Sequence, residues 1–230
     1  NTQAQFRRDK TIMEFILRPE QSNEILTLFN MKLLEEKEKY FLEGLEPPIS
    51  EALTSNNLLP LKYLVNTYND FNFNQKPLYE SCATFVMNEM LKMSQEFPEN
   101  EDDNKKAYKL VGKLITRAIQ LSKPYAKIFT SKEAMNELDE KIIEAWNNKR
   151  FNIVINFNDY IDNLIQSKLQ VENSDEIIAI IPRFYKYLSD RAAFNTFYEA
   201  SFVRRIIKMR SSIEQYEYPI IKEIQKVSTD

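Results

Sequence analysis

Acid–base or metal chemistry in this 230-residue chain would fall to carboxylates and lysines, because histidine is absent and Cys82 is the single cysteine. Glu140 and Glu144 stand four residues apart, the spacing that sets two carboxylates on one helix face, as in helical carboxylate metal sites. Those sites are completed by a Glu-x-x-His motif, which this chain cannot supply, so the pair reads as solvated helix surface. Cys82 could be a nucleophile, yet no histidine exists to activate it. At helical spacing with Leu78, Phe85 and Val86 it reads as a small buried hydrophobe. With only two glycines, Gly44 and Gly112, no glycine-rich loop can bring backbone N–H groups to a phosphate. Zinc sites of Cys/His type fail on the same inventory. No catalytic residue, metal site or cofactor is assigned.

Charge offers three further candidates. Residues 183–210 carry seven basic side chains against two acids, with Tyr and Phe interleaved, a pattern that can bind nucleic acid or an acidic partner. Most of those aromatics fall at helical core spacing, so structural use is the preferred reading, with Arg204 and Arg205 paired to acids on neighbouring helices. The acids between Glu96 and Asp103 surround Pro98 and read as a solvated loop, an acidic docking site being the alternative. The run Glu35, Glu36, Lys37, Glu38 and Lys39 reads as a helix face with its own ion pairs rather than a partner surface.

Glycine is about 7% of ordinary chains, so two in 230 residues disfavour hairpins and favour long helices. An apolar fraction of 43% suffices for a core, and a net charge of −3 gives no global field for nucleic acid. A mean hydropathy of −0.49 without a long apolar run predicts a soluble chain with no membrane span. One cysteine and no signal peptide point to a reducing compartment, cytoplasm or nucleus. Asn1, Thr2 and Gln3 lack an initiator methionine and already read as helix, which predicts a piece of a longer protein.

The helices follow from period and punctuation. The first covers 3–17 and stops before Pro19; a second carries Ile25, Leu28, Leu33, Leu34 and Phe41 and ends near Gly44, with Pro47-Pro48 beyond. A third covers 57–68 with Pro60 in its first turn and Leu61, Leu64, Val65 and Tyr68 on one stripe. A fourth covers 76–96. From Lys105 the pattern resumes until Pro124 kinks or ends it, and Thr130 and Glu133 have capping-box spacing for the helix that ends near Trp146, read as a core anchor. Residues 151–157 alternate like a strand and are assigned as a linker, with Asn156 or Asn158 capping the next helix. Further helices cover 174–189, where Pro182 lies inside, then the stretch capped by Asp190, then a final one with Pro219. At least nine helices result, with no exact repeat but the look of a stack of helical layers.

The most informative stretch is 184–207, FYKYLSDRAAFNTFYEASFVRRII. It resembles the cullin signature, in which Asp-Lys ends one helix and the next carries a phenylalanine, an aromatic three to four residues on, and a segment like L-A-R-R-L-L. The corresponding places are Asp190-Arg191, Phe194, Phe197-Tyr198 and Phe202 through Ile207. Ala192 replaces the family's second acid, and Phe202-Val203 its Leu-Ala pair, as in a divergent member. Leu34-Glu35-Glu36-Lys37 is similar to the long opening helix of the third cullin repeat, and 57–65 to the family's short helix D-L-x-x-L-Y-x-L. Met135 through Asp139 resembles F-x-x-A-L-D, and Asp159 through Ile165 the opening of the family's four-helix bundle.

The resemblance implies an all-α chain, an elongated stack of cullin-type repeats leading into a helical bundle. It divides the chain into the end of a preceding repeat (1–18), a third repeat (19–156) and the start of the bundle (157–230). It implies a non-catalytic scaffold segment of a cullin-RING ubiquitin ligase. A RING protein and an adaptor or substrate receptor would bind the full-length parent mostly outside this segment, and the modifier-accepting lysine would also lie outside it. Asp190, Phe194, Phe197, Tyr198, Arg204 and Arg205 are then signature residues with a structural role. The competing reading is a helical-rod tethering protein or solenoid adaptor of another family, which would share the low glycine and amphipathic helices but not the 184–207 pattern.

Overall fold

Scarce glycine and apolar residues recurring every three to four positions produce nine α-helices and no strand among the described residues. The computed structural model describes residues 46–55, 57–70, 74–97, 107–167, 174–208 and 217–228, with Ile25 and Leu28. The chain packs as two compact units, Asn1–Ser81 and Cys82–Asp230.

In the first unit, α1 (Glu46–Thr54) and α2 (Leu59–Asp70) pack together. Pro47-Pro48 open α1, where a missing N–H leaves no bond unmade. Ile49, Ala52 and Leu53 of α1 are buried, as are Leu61, Val65 and Tyr68 of α2, so the stripe expected on 57–68 forms. Ile25 and Leu28 are helical but 41% and 65% exposed, not on a buried stripe. The helix expected at 3–17, the run 35–39 and Gly44 lie outside the described residues.

Helix α3 (Lys76–Lys92) carries the chain across the division and runs on as a 3-10 turn, Met93–Glu96. Asn74 starts it, its Oδ1 accepting the Lys76 N–H at 3.0 Å. Cys82, Val86 and Met90 are fully buried, while Phe85 is only partly so.

The second unit continues with α4 (Ala107–Ala126), α5 (Lys132–Trp146), α6 (Ile153–Gln166), α7 (Ser174–Lys186), α8 (Arg191–Lys208) and α9 (Tyr218–Ser228). Helix α4 packs on α5 and α6, α6 on α8, and α7 on α9. Pro124 ends α4 rather than kinking it, since only two residues of helix follow. Helix α5 is capped by Ser131, whose side chain accepts the Ala134 N–H at 3.2 Å, one residue beyond the expected Thr130.

The 151–157 linker is a misreading. A 3-10 turn, Lys149–Phe151, leads through Asn152 at φ 39° directly into α6. Asn152 tolerates that left-handed conformation as few residues do, and it joins the turn to α6 without a linker. Ile153, Phe157, Ile161, Leu164 and Ile165 are all buried, a helical stripe whose first turn mimics strand alternation. Asn156 and Asn158 sit inside α6 and cap nothing; Asn156 Nδ2 donates to the Phe151 carbonyl at 2.7 Å, both residues being buried.

Candidate functional site

Asp190 begins α8: its Oδ1 accepts the Ala193 N–H at 2.8 Å, satisfying one of the donors that a helix N-terminus leaves free. One turn on, Phe194 is 1% exposed and sits within an aromatic cluster. Its ring centroid lies 5.4 Å from Phe157, 5.5 Å from Tyr185 and 5.8 Å from Tyr198. Trp146, fully buried, extends the cluster through Phe157 and Phe184. Phe197, expected to serve structure with the other signature residues, does not join it and is 42% exposed. At 100° per residue Phe197 is rotated some way from the Phe194–Ser201–Arg205 line that faces α6.

Further along that line the buried face turns polar. Arg205, 2% exposed, donates through Nε to Glu217 Oε2 at 2.8 Å, through Nη2 to Glu217 Oε1, and through Nη1 to Asp162 of α6. Glu217, the residue immediately before α9, is fully buried and also accepts the Tyr198 hydroxyl at 2.9 Å. The Arg205 guanidinium stands 5.2 Å from the Tyr198 ring centroid, completing a cation–π contact. Burial opposes the charge on Arg205, but the hydrogen bonds to Glu217 and Asp162 outweigh it and hold its pKa above the ordinary value. Burial likewise raises the Tyr198 phenol, with the Glu217 charge adding to the shift.

Arg204 departs from its expected pairing. It is exposed and donates to Ser201 Oγ at 2.8 Å, a hydroxyl that also accepts from Asn158 Nδ2 at 3.1 Å. Its charge favours the Asp159 carboxylate, whose pKa is nonetheless raised, first by burial and then by the neighbouring Asp162. Among the described residues, Asn158 Oδ1 and Trp146 Nε1 are buried polar side-chain atoms without a hydrogen-bond partner.

A second polar joint ties α5 to α7. Arg183 Nη2 donates to Asp139 Oδ1 at 2.6 Å, Tyr187 donates to the same oxygen at 2.5 Å, and Arg183 also reaches the Tyr187 hydroxyl. Asn147, just past α5, donates to the Tyr187 carbonyl at 2.8 Å and accepts the Ser189 N–H at 2.9 Å. Asp139, Asn147, Asp162 and Glu217 were not singled out from the sequence, because each meets its partner across helices and no local spacing announces it.

The remaining candidates resolve as structure. Burial raises the Cys82 thiol far above its ordinary value, which makes it a poor nucleophile. Glu140 and Glu144 are exposed, and the described residues hold no cluster of metal-ligating side chains. The basic run is not one patch: Arg183 and Arg205 are committed to ion pairs, Lys186, Arg191 and Arg204 are exposed, and Arg210 lies outside the described residues. Most of the acidic stretch, 98–103, is also outside them, while Glu96 is exposed and pairs with Lys113 at 3.8 Å. No described helix is long and apolar enough to cross a membrane. Chemically, the arrangement joins helices.

A family model described as the cullin alpha solenoid domain matches residues 1–228. No curated protein and no solved structure matches the chain.

Proposed function

The chain belongs to the cullin family, and on that premise we propose that it is a rigid scaffold segment of a cullin-RING ubiquitin ligase. In this reading 1–18 ends a preceding helical repeat, 19–156 is the third cullin-like repeat and 157–230 opens the four-helix bundle. The segment holds a substrate-receptor end and a RING end at a set distance and angle, which raises the effective concentration of ubiquitin-loaded enzyme at the substrate by geometry. The RING protein and the adaptor bind the longer parent mostly outside these residues, in the cytoplasm or nucleus.

The family match over nearly the whole chain carries the reading. Supporting it, several side chains singled out by type serve packing. Cys82 is sealed, and two of the basic signature-region residues, Arg183 and Arg205, cross-link helices. Joints of this kind suit a part whose task is to keep its shape.

Affinity purification of the full-length parent tests the proposal. Recovery of a small RING protein, with ubiquitin transfer to a bound substrate, is expected. A parent that brings down no RING protein removes the ligase role and leaves a helical tethering scaffold in its place.

A further inference from the structure

Two of the contacts that hold helix α9 to the rest of its unit differ physically. Along α7 it is held by apolar side chains, with Ile220 fully buried and Ile224 9% exposed. Apolar contact is non-directional, so a stripe of that kind permits small slides and rotations at little cost. At its start, by contrast, Glu217 meets the two-pronged fork of Arg205, a planar donor whose bonds hold in one orientation.

The energetics of this joint separate fixing from stabilising. Arg205 is 2% exposed and Glu217 fully buried, so both charges have been taken out of water. A buried ion pair of this kind contributes little net stability compared with well-packed apolar residues, because desolvation offsets the Coulomb gain. Its distinctive property is that it accepts one geometry. Arg205 also holds Asp162 of α6, so one guanidinium sets the start of α9 against α6 and α8 together.

We infer that Arg205 is a positioning residue that sets the direction in which α9 leaves α8, the Glu217 fork being the register key and the α7 contact the adhesive. The inference concerns one joint of the scaffold and rests on the scaffold reading only for its purpose. The geometry it describes is measurable in the chain alone.

The test uses the full chain with spin labels on cysteines introduced at exposed Glu199 of α8 and Lys222 of α9, Cys82 being buried. Interlabel distances are compared between the parent sequence and the charge-free variant Tyr198→Phe/Arg205→Met/Asp162→Asn/Glu217→Leu, in which Tyr198 is changed because its hydroxyl would otherwise lose its Glu217 acceptor. The expected result is a thermal midpoint within about 3 °C of the parent, a change below roughly 1 kcal/mol, with a distance distribution that widens or splits into two populations. A distribution as narrow as the parent's overturns the inference, because the apolar contact then suffices to orient α9. A charge-free variant that melts far below the parent also overturns it, by showing the cluster to be a stabiliser. Arg205→Lys, which keeps the charge and loses the fork, is expected to widen the distribution as well; if it stays narrow, charge alone fixes the joint and the fork does not. Failure here leaves RING recovery by the parent untouched, so the two readings fall separately.

Discussion

Gly112 of α4 faces the ring of Tyr160 of α6 so closely that a β-carbon at Gly112 would lie 2.7 Å from Tyr160 Cε2. Glycine costs a helix interior about 1 kcal/mol relative to alanine, and here it leaves the space that a neighbouring ring fills. Gly112→Ala forces the ring of Tyr160, itself buried, out of its seat, an overpacking penalty of roughly 1–3 kcal/mol that exceeds the helix gain. A net loss near 1 kcal/mol is expected in chemical denaturation. Gly112→Ala placed in a Tyr160→Leu background should instead stabilise, so a double-mutant cycle that shows no coupling rules out the close approach.

The two signature phenylalanines should separate sharply. Phe194 is 1% exposed among three rings, and Phe194→Ala is expected to cost about 3–5 kcal/mol. Phe197, 42% exposed, should lose less than about 1 kcal/mol on the same change. Urea unfolding of the two variants decides it, and equal losses would place Phe197 in the core.

The paired arginines should diverge in the same way. Arg205→Ala leaves Glu217 fully buried without its partner and is expected to cost about 3–5 kcal/mol. Arg204→Ala removes an exposed donor's hydrogen bond to buried Ser201, which keeps Asn158 as a partner, and should cost no more than roughly 1 kcal/mol. If the two shift the denaturation midpoint alike, the buried cluster is not formed in solution.

Helix content was legible because it depends on local facts: few glycines, apolar periods and proline punctuation. Cys82 as core and Asp190 as a cap were readable for the same reason, each being settled within one or two turns of its own helix. The failures share a cause. The 151–157 stretch looked like a strand or linker because the first turn of α6 places Ile153 and Ile155 two apart, and only the stripe running on to Ile165 reveals the helix. Arg204 and Phe197 share a signature with Arg205 and Phe194, yet Arg204 is turned about 100° from Arg205, and Phe197, three residues after Phe194, about 60° from it, which carries each off the buried face. Glu217 and Asp139 could not be found at all, since their partners lie on other helices.

Stability should fall on the alkaline side. Burial pushes the Tyr160 phenol up to about 12, and raises Tyr187 and Tyr198 as well. An unfolded tyrosine ionises near pH 10, while these stay neutral when folded, so above that pH the native state holds more protons and loses stability as pH rises. Each such tyrosine contributes a slope of at most about 1.4 kcal/mol per pH unit between the unfolded and folded values. Denaturation midpoints measured from pH 8 to 11 should decline, and less steeply in Tyr160→Phe. A flat profile would mean that these hydroxyls are solvated.

The scaffold reading makes a last prediction about where flexibility hurts. The seemingly natural insertion point, 151–156, is unsuitable because Phe151 and Asn156 are buried and bonded to each other, so an insertion there would unfold a core instead of softening a joint. The division between the two compact units falls inside α3, after Ser81, but Leu78, Cys82 and Ala83 are fully buried there, so the insertion belongs just ahead of the helix, before exposed Asn74. A short glycine–serine insertion at that point in the full-length parent should let the α1–α2 pair turn relative to α3 without opening a packed face, since such linkers behave as flexible coils. Adaptor and RING capture should persist, as each partner binds outside the altered segment in the proposed reading, while substrate ubiquitination falls because the two ends no longer hold one distance. Ubiquitination that survives the insertion unchanged, with partner capture intact, would show that the parent tethers its partners without spacing them.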